Sequence, residues 1–115
     1  WFSLVLDDGT RVMAAQVRET GGGVFRFGTW IAPDGTATPY GDGALRLTPL
    51  ATAEVAGREV PVRWRVELPA EGLDVTTEPL NPQAWMATSF PYWEGPVSVS
   101  GSHDGRGYLE MTGYE

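Results

Sequence analysis

Cysteine is absent from the 115 residues. That excludes disulfides, thiolate nucleophiles and thiolate-bound metals; it fits an exported protein without fixing the redox compartment. Lysine is absent too, so the eight basic residues are all arginine, set against 15 Asp and Glu for a formal net charge of −7. A chain this poor in positive charge has no basic face to neutralise phosphates, which argues against nucleic acid and anionic membrane surfaces as partners. No apolar run approaches the roughly 18 residues of a membrane-spanning helix. The chain opens on Trp1-Phe2 with neither an initiator Met nor the basic start of a signal peptide, as expected of a piece processed or excised from something longer.

Room for long helices is also lacking. Fifteen glycines and nine prolines punctuate the chain at short intervals, and both residues interrupt helices. What lies between them is alternation. Phe2, Leu4 and Leu6 alternate with Ser3, Val5 and Asp7 before an Asp8-Gly9 turn. Arg11 to Val17 returns, and Phe25 to Ile31 follows, closed by Pro33-Asp34-Gly35. Thr36–Tyr40 and Ala44–Thr52 come next, with Pro49 marking an edge, bulge or bend. Val60 to Leu68 is the clearest strand: Val62, Trp64, Val66 and Leu68 share one face, Arg63, Arg65 and Glu67 the other, so Trp64 is expected to face inward and the arginines outward. Leu73–Glu78, Trp93–Ser100 and Gly107–Tyr114 complete the set. Asn81–Pro91 has no clean period and reads as a loop with at most one helical turn, packed on the body of the domain through Trp85, Met86 and Phe90. Eight or nine antiparallel strands joined by short turns close into a barrel or split into a sandwich, and periodicity fits both. A hydrophobic fraction of 42% and a charged fraction of 20% suit one globular domain over residues 1–115.

Few residues carry an obvious chemistry. His103 lies in the polar loop Gly101–Gly105, and one His beside Asp104 is far short of a metal ligand set, so no metal is expected. Asp7-Asp8-Gly9 lacks calcium-loop spacing and reads as a turn. Gly21-Gly22-Gly23 precedes no helix and reads as a hairpin connection rather than a phosphate cradle. No G-x-S-x-G elbow is present. Glu94 and Glu110 fall on neighbouring strands, as paired catalytic carboxylates or as exposed outer-face charges. The aromatic residues, Trp30, Trp64, Trp93 and Tyr108 among them, either fill a bulky core or line an apolar cavity, because a barrel of about eight strands holds side chains or one small ligand. Gln16 shares a face with Val12 and Ala14 and stands as a polar group in that apolar setting; Ala14, Ala15 and Gly28 leave room beside it.

Several motifs carry a resemblance: Tyr92-Trp93-Glu94-Gly95-Pro96-Val97, Gly107-Tyr108-Leu109-Glu110-Met111-Thr112-Gly113-Tyr114, the opening Trp1 to Gly9, Gly28-Thr29-Trp30 with Pro33-Asp34-Gly35, and Pro61-Val62-Arg63-Trp64-Arg65. Together they resemble the C-terminal lipocalin-like domain of the AttH-like and carotenoid 1,2-hydratase proteins. The resemblance implies an antiparallel lipocalin-like β-barrel, preceded by a second, N-terminal barrel in a longer, exported bacterial protein. It implies an apolar small molecule as partner, with hydration or cyclisation of a polyene as the enzymatic alternative and a purely structural barrel as the third. No catalytic residue carries over: the hydratase's His/Trp pair belongs upstream of Trp1, and its Tyr and Asp align with the strand where this chain has Ala14, Ala15 and Gln16. No cofactor is implied. The expected ligand contacts are Gln16, Trp30, Trp64, Trp93, Glu94 and Tyr108.

Overall fold

Ten antiparallel strands build the domain in the computed structural model, which describes residues 1–114. They are β1 (Phe2–Leu6), β2 (Arg11–Arg18), β3 (Val24–Ile31), β4 (Ala37–Tyr40), β5 (Arg46–Val55), β6 (Arg58–Leu68), β7 (Leu73–Pro79), β8 (Trp85–Met86), β9 (Tyr92–Gly101) and β10 (Gly105–Thr112), with a 3-10 turn at Pro69–Glu71. Nine of them form one sheet in the order β4-β3-β2-β1-β10-β9-β7-β6-β5, and β8 pairs with β9. The sheet curls into a half-barrel whose edge strands, β4 and β5, are not hydrogen-bonded to each other. The all-β antiparallel architecture expected from the alternation is the one observed. No helix is long and apolar enough to cross a membrane among the described residues.

Alternation sets what the concave face buries. Phe2, Leu4 and Leu6 of β1 face Leu109, Gly107 and Gly105 of β10, and Phe2 and Leu4 face Ala14 and Val12 of β2. Across the sheet the same face carries Trp93, Val97 and Val99 of β9, Val75 and Thr77 of β7, and Trp64, Val66 and Leu68 of β6. These apolar side chains form one buried cluster with Leu45, Leu47, Val55 and Val60. On β6 the strand expectation is met in detail: Trp64 is buried, while Arg63 and Arg65 are exposed and paired with Glu78 and Asp74.

Some glycines are set by space rather than by turns. A Cβ on Gly28 would meet the Met13 carbonyl oxygen at 2.5 Å and Leu45 Cδ1 at 2.8 Å, so β2 and β3 approach closely beneath the core. The sheet's free edges carry prolines, Pro39 on β4 and Pro49 on β5, and the β5–β6 register slips beside Pro49. Proline and bulges blunt an edge against pairing with another chain. Among the described residues, one side-chain bond links β4 to the far side of the sheet: Tyr40 Oη donates to Glu71 Oε1 in the 3-10 turn at 2.6 Å.

The segment expected as a loop over Asn81–Pro91 contains the two-residue strand β8, too short to leave a period in the sequence. It is held to β9 by Trp93 Nε1 donating to the Pro82 carbonyl (2.8 Å) and by the Glu94 amide donating to the Ala84 carbonyl (2.9 Å). Trp85 packs against the core, but Met86 is exposed and Phe90 is 82% exposed, so these two do not share in the packing expected of the loop. The expected turns hold. Thr10 donates its amide to Asp8 Oδ1, and that bond keeps the Asp8 carboxyl below its ordinary value. Gly21 and Gly22 take positive φ in the β2–β3 hairpin.

Candidate functional site

A half-open cleft of about 510 Å³ lies at the end of the half-barrel where β1 begins and β2 and β10 finish. Its floor is apolar: Phe2, Leu47, Trp64, Leu109 and Met111 are all buried. Trp64 stands edge-on to Phe2, with ring centroids 5.8 Å apart and planes at 79°, an arrangement that aromatic quadrupoles favour. Trp64 Nε1 donates to the Pro61 carbonyl at 3.0 Å. The indole therefore presents only carbon to the cleft.

The mouth is mixed. Trp1 and Val17 are about half exposed there, and Gln16, Arg18, Glu19 and Tyr114 bring polar atoms. Gln16 reaches the cleft because β2 continues the inward parity of Val12 and Ala14 past the last fully buried position. Its Oε1 accepts a hydrogen bond from Arg26 Nε at 2.9 Å, from the position directly opposite on β3. Arg18 lies with its guanidinium carbon 4.3 Å from the centre of the Tyr114 ring, and its Nη2 donates to the Thr112 carbonyl at 3.3 Å.

The six residues singled out in the sequence fall in different places. Gln16 and Trp64 come together in this cleft. Trp93 is fully buried in the core, with its N–H satisfied by Pro82. Trp30 sits on the concave face of β3 farther along the half-barrel, edge-on to His103 at 6.0 Å; His103 Nδ1 lies 2.8 Å from Ser102 Oγ. Glu94 and Tyr108 belong to the opposite, convex face. There Glu94 stands directly across from Glu110, and a second hollow of about 610 Å³ is bordered by Phe90, Tyr92, Glu94 and Glu110. Burial first, and the Glu94 carboxylate second, hold the Tyr108 phenol above its ordinary 10.0. No three His, Cys, Asp or Glu side chains gather into a metal-holding group among the described residues.

Arg18 and Arg26 have no motif around them and join the site only through the fold. Strand parity could have pointed to Arg18, which lies two residues past Gln16; Arg26 needs the β2–β3 register, which the triple-glycine hairpin leaves open in the sequence.

Comparison with known proteins supplies the remaining observations. The AttH-like family model matches residues 1–114. Among solved structures, the crystal structure of an AttH candidate (NE1406) from Nitrosomonas europaea superposes with a TM-score of 0.88 at 27% sequence identity, over 100% of this chain and 38% of that one. The chain thus spans well under half the length of that relative. No curated protein matches. The lipocalin-like fold anticipated from the motifs is the fold of this relative, and with a family match over almost every residue, the chain belongs to the AttH-like family.

Proposed function

We propose that the domain binds an apolar small molecule in the cleft floored by Phe2, Leu47 and Trp64, with Gln16 among its few polar contacts. The observation that carries this reading is the cleft itself: about 510 Å³ of space over buried aromatic and aliphatic carbon, at the mouth of a curled sheet. Ligand sites typically occupy about 300–1,000 Å³ and are mostly apolar with a few placed polar groups. Trp64 and Trp93 both spend their indole N–H on backbone carbonyls; this favours Trp64 as an apolar wall and Trp93 as core.

The cleft is open on one side, and the Nitrosomonas relative continues well beyond the matched portion. We therefore include in the proposal that a second, N-terminal barrel of the same protein covers the mouth. Export of the protein is part of the same reading, supported by the family resemblance and by a cysteine-free sequence compatible with an oxidising compartment.

The test is a titration of tryptophan emission with an uncharged polyene, the methyl ester of a conjugated octadecatetraenoic acid. Its conjugated chain absorbs near the emission of Trp1 and Trp64, which border the cleft. Saturable quenching is expected in the wild type, and its loss in Gln16→Trp, where the larger side chain occupies the space. Quenching that never saturates, or that persists unchanged in Gln16→Trp, would refute the site.

A further inference from the structure

We propose that the cleft selects a carboxylate-headed apolar molecule, the head held by Arg18 and the Gln16 amide with Arg26 as the residue that positions Gln16. This inference rests on the ligand-binding reading above and deepens it by assigning the head group.

The orientation of one side-chain amide is the starting point. Gln16 Oε1 is taken by Arg26 Nε at 2.9 Å, and this bond fixes which end of the amide is free. The carbonyl is committed to Arg26, so the NH2 end is left for a ligand; Gln offers two donors there and no acceptor. Arg18 adds a second donor-only group. Its guanidinium is steadied over Tyr114 and by one bond to the Thr112 carbonyl, which leaves further N–H groups of its planar fork unused.

Charge points the same way. Carboxylates outnumber arginines by 15 to 8, so an arginine in this chain has ample choice of partner. The ion pairs among the described residues nevertheless all involve Arg63 or Arg65. Arg18 and Arg26 lie on the concave face at successive inward positions of the β2–β3 ladder, since Gln16 faces Arg26 and Arg18 faces Val24. Neither guanidinium forms an ion pair among the described residues, and the one carboxylate bonded to Arg26, that of Asp42, accepts from its backbone amide at 3.0 Å. Arg26 is half-buried and lies outside the lining of the cleft, so it acts through Gln16, while Arg18 at the mouth is the cation an incoming anion meets. Glu19 and Glu110 border the cleft as well. Glu19 belongs to the β2–β3 turn and Glu110 to the convex side of β10, opposite Glu94. Both are charged against an anion, so the donors of Gln16 and Arg18 are the groups of the cleft that can hold its head. A ligand satisfying this arrangement has an aliphatic or polyene body on Phe2, Leu47 and Trp64 and a terminal group that accepts hydrogen bonds and carries negative charge.

The experiment compares a conjugated octadecatetraenoic acid with its methyl ester, titrated into the full chain at pH 8, where the acid is ionised. The wild type is expected to bind the acid about tenfold more tightly than the ester, the factor a net charge-assisted hydrogen bond confers. Arg18→Gln and Arg26→Gln are each expected to bring that ratio towards one by weakening the acid more than the ester, and a urea unfolding transition followed by far-UV circular dichroism shows that the variants fold. Equal affinity for acid and ester in the wild type, or an undiminished preference in both variants, would overturn the head-group assignment and leave the apolar site standing. Failure of both probes to bind would overturn the site and the assignment together.

Discussion

Replacing Trp93 distinguishes a core residue from a ligand contact. The side chain is fully buried between β9 and the segment that returns through β8, and its Nε1 holds the Pro82 carbonyl at 2.8 Å. Trp93→Phe keeps an aromatic ring in the site but gives up the pyrrole edge and the hydrogen bond. The lost apolar area is on the order of 40 Å², or about 1 kcal/mol at roughly 25 cal/mol per Å². The hydrogen bond contributes about another 1 kcal/mol. A loss of about 2 kcal/mol is expected for Phe, against about 3–5 kcal/mol for Trp93→Ala, which opens a cavity as well. In urea unfolding followed by far-UV circular dichroism, an m-value of about 1.5 kcal/mol/M turns the first figure into a midpoint shift of roughly 1.3 M. Binding of the uncharged polyene ester is expected to be unchanged in Trp93→Phe, because the ring does not border the cleft. A midpoint that stays put while ester affinity falls would refute the reasoning and return Trp93 to the ligand.

Two further outcomes follow from local geometry. Gly28→Ala should lower stability by about 1–3 kcal/mol, the usual cost of overpacking, because the new methyl would meet a backbone oxygen, Met13 O, at 2.5 Å and only secondarily the movable Leu45 side chain; a thermal midpoint equal to that of the wild type would contradict it. The bidentate Arg65–Asp74 pair, with bonds of 2.9 and 2.8 Å, holds the Asp74 carboxyl below its ordinary 3.8. Its contribution is therefore complete above that ordinary value and is lost as pH falls through the lowered one. The urea midpoint of Asp74→Asn should accordingly fall less steeply than that of the wild type in acid, and identical profiles would show that the pair adds nothing.

The fold was legible wherever a strand buries one face only. On β6 the alternation of Val62, Trp64 and Val66 with Arg63 and Arg65 determines both the element and its orientation, because a slip of one residue would bury guanidinium groups. β8 was not legible, since two residues show no period and the bonds that hold the segment to β9, from Trp93 Nε1 to the Pro82 carbonyl and from the Glu94 amide to the Ala84 carbonyl, leave no mark in the sequence. Strand ends were blurred for a related reason: β5 runs on to Val55 past the Pro49 irregularity, and β10 begins at Gly105, inside the stretch that glycines mark as a loop. The site was half legible. Parity placed Gln16 on the face of Val12 and Ala14, and Trp64 on the inward face of β6, but that they meet at one end of the half-barrel depends on curvature, which sequence spacing does not encode. The same holds for Arg26, whose importance arises from a cross-strand register.

The strand order has a consequence for how the chain assembles. Beginning at β5, the sheet runs β5, β6, β7, β9, β10, then β1, β2, β3, β4: the sequence order itself, rotated. Apart from the short β8 between β7 and β9, every neighbour along this path is a neighbour in the chain except where β1 meets β10, and there the first and last strands lie side by side in mid-sheet, Phe2 opposite Leu109. Nearly all the pairing is thus local, and one joint carries the loop-closure entropy of almost the whole chain. That entropy grows only logarithmically, by about 0.6 kcal/mol for each doubling of length, so the joint weighs on the rate of folding more than on stability. The Gly41–Gly43 connection between the two unpaired edges is the corresponding place where the backbone can be cut without breaking a ladder. A circular permutant opened there and joined across the old ends would be a plain meander, with the same sheet and no distant closure left to make.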